Sequence, residues 1–157
     1  MTIVGFSFTK MHVEKLGAAR GKVSIESNVT ITAVDKFDMS VGTSKQDGIK
    51  FSFEYLTMYE PNVAEIKLAG EVFYMNSVEK VKEILDQWKK KKTVSKEVLV
   101  EIMNACLTKC NIQAIVLSND LNLPPPIEMP RVRVTNADAQ LEVKELKPEV
   151  KESKPKK

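Results

Sequence analysis

The chain is poor in the residues that most often carry chemistry. Histidine occurs once, as His12, and cysteine twice, as Cys106 and Cys110. A structural zinc site takes four ligands, usually Cys or His, and these three fall short. Catalysis of the Ser-His-Asp or Cys-His kind would rest on His12 alone. That residue sits on the polar parity between Met11 and Val13, so it is expected to face solvent, and no G-x-S-x-G elbow accompanies it. The six glycines (Gly5, Gly17, Gly21, Gly42, Gly48 and Gly70) are scattered, which excludes a phosphate loop and a dinucleotide fingerprint. Each reads as a turn or bulge residue. The expectation is a protein without catalytic residues, cofactor or metal.

Other absences bound the class. No apolar run approaches the roughly 18 residues of a membrane span. The start, MTIVGFSF, lacks the charged region and long apolar core of a leader. Cys106 and Cys110 lie four apart on an expected helix, where near-parallel Cβ vectors disfavour a bond. They read as reduced thiols, as expected in the cytoplasm. No charge sign dominates: 24 basic residues face 21 acidic ones, a net of +3, which demands no polyanionic partner. Aromatics are only 6%, and seven methionines share the apolar work, suiting irregular gaps and adaptable surfaces.

What is present reads as four strands and two helices. Val4, Phe6 and Phe8 alternate, then Met11 and Val13 continue on the opposite parity. One extra residue within 8–11 restores a single apolar face, the mark of a β-bulge. A loop, GAARG, follows at 17–21. Val23, Ile25, Val29, Ile31 and Ala33 then occupy odd positions, with polar residues between. A hydrophilic hairpin, SVGTSKQDG, leads to Ile49, Phe51, Phe53 and Tyr55. A turn at Pro61 and Asn62 leads to Ala64, Ile66, Leu68, Gly70, Val72 and Tyr74. The connections are too short for crossover helices, so the expected sheet is an antiparallel meander.

At Asn76 the period changes from 2 to 3.6. Asn76 and Glu79 resemble a capping box. Val78, Val81, Ile84, Leu85 and Trp88 form one stripe, and Lys89 to Lys92 suit the negative end of the helix dipole. Ser95 caps a second helix, about 95–120, whose apolar face is Leu99, Ile102, Met103, Cys106, Cys110, Ala114 and Leu117. Asn111 marks a candidate break. The class is α+β, with both helices on one face of the sheet. One domain is expected over 1–136, followed by a charged tail, 137–157, whose six lysines and five acids lack apolar periodicity and read as disordered.

Between helix and tail lies LNLPPPIEMPRVRV, residues 121–134. Three consecutive prolines stop a helix and cannot donate to a sheet, yet the stretch is apolar. It reads either as a strap closing its own core or as one wall of a groove for extended peptide, with Leu121, Leu123, Pro125, Ile127 and Met129 as the contact residues. A rigid proline backbone costs little entropy to order, which suits both. The runner-up site is electrostatic: Lys89, Lys90, Lys91 and Lys92, joined by Arg131 and Arg133, facing the phosphates of RNA or a ribosome.

The segment NACLTKCNIQAIVLSNDLNLPPPIEMP, 104–130, resembles the SecB export-chaperone family, in which a long helix is followed by a similar Leu-Asn-Leu and proline stretch. The order of elements extends the likeness over about 3–135. The resemblance implies a four-stranded antiparallel sheet with helices on one face. It also implies a cytoplasmic homo-oligomer that holds unfolded chains in apolar grooves without ATP.

Overall fold

The computed structural model describes residues 2–18, 20–41, 44–134 and 141–144. They form two compact units, 1–126 and 127–157.

The first unit holds β1 (Thr2–Lys15), β2 (Ser24–Val41), β3 (Ser44–Glu60), β4 (Ala64–Met75), α1 (Val78–Lys91) and α2 (Lys96–Asp120). All four strands pair antiparallel, in the order β1-β4-β3-β2. Only β2, β3 and β4 form a meander. The first strand does not pair with the second; it lies against β4 instead. The connection at 16–23 permits this because it is too long to be a tight hairpin turn. It leaves β1 free to cover the open edge of β4, where its apolar residues meet Ile66, Leu68 and Val72.

Two register shifts shape β1. One falls between Phe8 and Lys10, within the expected bulge, and puts Phe8 opposite Gly70 and Met11 opposite Leu68 on the same face. The other, between Ile3 and Gly5, was not legible as a break in alternation. It makes Val4 the exposed extra residue and brings Ile3 onto the core face with Phe6 and Phe8. In β2 a further shift between Ile31 and Ala33 turns Val34 inward opposite Phe51. Ala33 therefore belongs to the open face, not the dry one. The hydrophilic hairpin is mostly strand: pairing continues to Val41 opposite Ser44. Lys36 stabilises it from between Asp38 at 3.2 Å and Asp47 at 3.3 Å.

The core lies between the sheet and the helices. Ile49, Phe51, Phe53, Tyr55, Leu68, Val72 and Tyr74 are buried with Val81 and Ile84 of α1 and Ile102, Cys106, Cys110 and Ala114 of α2. Trp88 and Leu85 are only half-buried at its margin. Removing Trp88 therefore costs less than the roughly 3–5 kcal/mol of a fully buried large aromatic. The second helix starts after Ser95, as expected, whereas the start of α1 differs from expectation. Ser77, not Asn76, is the N-cap of α1, and Asn76 accepts from the Ser77 amide at 2.8 Å. Asn111 does not break α2; its carboxamide oxygen accepts from the Tyr55 hydroxyl at 3.2 Å, tying the unbroken helix to the sheet.

The second unit contains β5 (Arg131–Val134) and β6 (Leu141–Lys144), an antiparallel pair with Val132 opposite Val143 and Arg133 opposite Glu142. The two units divide after Pro126, where prolines 124–126 interrupt backbone pairing. Part of the segment read as a disordered tail is a strand: Leu141 and Val143 alternate with Glu142 and Lys144, a short period-2 pattern masked by the high charge around it. The rest of that tail, 145–157, lies outside the described residues.

Candidate functional site

The strap begins as a helix terminator. The Leu123 amide donates to the Ser118 carbonyl at 2.8 Å, and the Asn122 amide donates to the Asn119 carbonyl at 3.2 Å. Asn122 has φ of +53°, the left-handed conformation that Asn tolerates better than most residues. This pair of bonds is a Schellman cap, with Asn122 just past the helix and an apolar residue, Leu123, after it. Leu123 is 8% exposed and belongs to the core. The Leu-Asn-Leu motif is thus a helix stop whose second leucine seals the core, and Leu123 is not available to a peptide. Leu121 is half-buried against the same core.

Pro124 is then pinned. Its carbonyl accepts from the Tyr59 hydroxyl at 2.7 Å. Burial, with Tyr55 adding, pushes that hydroxyl up to about 12, so it stays a donor at neutral pH. Pro125 is exposed. In the second unit, Ile127 is 39% exposed and Met129 44% exposed. The five strap residues therefore divide: Leu123 is buried, Leu121 partly so, and Pro125, Ile127 and Met129 face solvent.

An apolar surface that pattern reading missed lies on α2. Its buried stripe is Val98, Ile102, Cys106, Cys110, Ala114 and Ser118, a strict four-residue repeat. Val100, Leu107, Ile112 and Val116 are exposed on the same helix. An amphipathic helix normally turns polar residues outward. The signal was present as apolar residues left over after one stripe had been assigned.

The lysine cluster has a local structural role. Lys89, Lys90 and Lys91 occupy the last turn of α1, and Lys92 is its C-cap with φ of 52°. The Lys92 ammonium sits 5.5 Å from the centroid of the Trp88 ring, within cation–π range. All four lysines are exposed. Arg131 and Arg133 open β5 in the other unit, and their side chains lie outside the described residues.

The open face of the sheet carries ion pairs among polar and small residues. Lys50 pairs with Glu71 at 3.1 Å and Lys67 with Glu65 at 3.6 Å. Phe37 and Phe73 pack there with ring centroids 5.0 Å apart, in the space left by side-chain-free Gly5 and Gly48. Among the described residues no helix is long and apolar enough to cross a membrane.

The fold finds a counterpart among solved structures. The SecB-like chaperone Rv1957 of Mycobacterium tuberculosis, solved in complex with a ChAD peptide from the HigA1 antitoxin, superposes with a TM-score of 0.50. The match covers 82% of this chain and 88% of that one, at 14% identity. The fold is SecB-like. No family model and no curated protein matches the sequence. The likeness lies in the arrangement of a four-stranded antiparallel sheet and two helices, as expected from the sequence.

Proposed function

We propose that this SecB-like chain is a non-enzymatic holder of unfolded or extended polypeptide, acting as a cytoplasmic homo-oligomer without ATP. The observation that carries this reading is exposed apolar surface on a fold shared with a chaperone solved with a peptide. Val100, Leu107, Ile112 and Val116 on α2, and Ile127 and Met129 beyond the prolines, are large apolar side chains left in contact with water. Covering them with apolar peptide releases about 25 cal/mol per Å². The candidate peptide contacts are Leu121 and Pro125 on the first unit and, separately, Ile127 and Met129 on the second, while Leu123 anchors the strap from inside.

The test is suppression of aggregation of a chemically unfolded client. The protein at molar excess is expected to suppress it. Ile127→Ser with Met129→Ser is expected to weaken suppression several-fold while leaving the far-UV spectrum unchanged. Failure of the unaltered protein with every client tried overturns the reading. A salt series makes the alternative visible: binding through Lys89 to Lys92 to RNA phosphates weakens steeply with salt, whereas apolar capture does not.

A further inference from the structure

On the open face of the sheet, three ligand-type side chains converge at the β1–β4 edge. His12 Nε2 lies 3.4 Å from Glu14 Oε2 and 3.7 Å from Glu65 Oε1. One donor atom from each of the three falls within 4.8 Å of the others. His12 and Glu14 are two apart on β1 and so share a face, and Glu65 stands directly opposite Glu14 on β4. Two carboxylates placed directly opposite across an antiparallel ladder repel each other. Such a pair is stabilised by a cation between its members.

We propose that His12, Glu14 and Glu65 form a binding site for a borderline divalent cation, with zinc as the fitting probe. The spacing supports this independently of the repulsion. Nitrogen and oxygen ligands about 2.0–2.2 Å from a tetrahedral zinc lie about 3.3–3.5 Å apart, close to the separations already present. One imidazole and two carboxylates suit zinc better than calcium, which takes oxygen ligands only. Three protein ligands leave the fourth position to water. The strands are rigid and hydrogen-bonded, so the ligands need little rearrangement. An ion there would clip the edge strand β1 to β4.

The Lys67 ammonium, 3.6 Å from Glu65 Oε1, is the built-in competitor. It partly neutralises the same carboxylate, and the His12 and Glu14 side chains are about half exposed, so both the ammonium and solvent compete with the ion. The competition also supplies a control that ordinary surface carboxylates would not reproduce.

The experiment is calorimetric titration of zinc chloride into the full-length chain without an affinity tag. One equivalent is expected to bind. His12→Ala and Glu65→Gln should each weaken binding at least tenfold with an unchanged far-UV spectrum, and Lys67→Met should tighten it several-fold. In NMR spectra the His12 ring resonances should move with zinc and stay in place with calcium. Absence of saturable binding at millimolar zinc, or affinity unchanged in His12→Ala, overturns the site and leaves the three residues as an ion-paired cluster only.

Discussion

Gly70 shows how one residue sets the packing of the sheet. It lies opposite Phe8 on one side and Phe53 on the other. A Cβ at this position would sit 2.8 Å from Phe53 Cζ and press on the Ser7 carbonyl oxygen. The missing side chain is the space into which Phe6, Phe8 and Phe53 close, with the Phe6 and Phe53 centroids 5.1 Å apart. Gly70→Ala is therefore expected to destabilise the protein by about 1–3 kcal/mol through overpacking, read as a lower urea midpoint. An unchanged midpoint would mean that the ring and strand shift aside freely. The alternation Leu68, Gly70, Val72 placed Gly70 on the core face, but only the register of three strands shows what fills the gap.

Among the elements, the end of α2 is the most consequential, because a 25-residue helix must stop where the strap begins. Asn122 supplies the left-handed turn, and Leu123 follows it into the core. Asn122→Ala places a residue without that tolerance at φ of +53° and should cost roughly 1–2 kcal/mol. Asn122→Gly should be neutral or slightly stabilising, since glycine is the usual residue at this position. Thermal melts of the two variants check the argument: equal losses would show that the Asn side chain, not the backbone conformation, matters. The bulges of β1 belong to this scale too. They kink an edge strand, which discourages pairing with a stray chain.

At the scale of the whole molecule, the single core of the first unit makes its thiols reporters of global opening. Burial pushes Cys106 from the usual 9.0 up to about 12, and burial with Cys106 nearby does the same to Cys110. Tyr59 rises from 10.0 to about 12. A raised folded value means that the native state keeps its protons while the unfolded state loses them. The stability from these groups is therefore fully present below about pH 9 and is lost as pH rises from 9 toward 12. Urea midpoints are expected to fall across that window, and less steeply in the Cys106→Ala, Cys110→Ala double variant than in the parent. At neutral pH both thiols should resist iodoacetamide until the protein unfolds. Fast labelling of the native protein would contradict the burial argument.

The sequence by itself determined the four long strands, the two helices and most of their faces. Period-2 patterns in Ile49 to Tyr55 and Ala64 to Tyr74, and the switch to 3.6 at Asn76, act over neighbouring residues, so they are legible without coordinates. The bulge near Thr9 was visible for the same reason, as a break in parity. Of the candidate strap residues, Pro125, Ile127 and Met129 are exposed, whereas Leu123 is drawn into the core by the cap of α2, a local stop signal whose burial no period in the sequence shows. Tertiary structure alone decided that β1 lies against β4, that α2 carries a second apolar side in contact with water, and that Glu14 stands opposite Glu65. Strand order and cross-strand register join residues about 50 positions apart, and no local period encodes which distant partner a strand will meet.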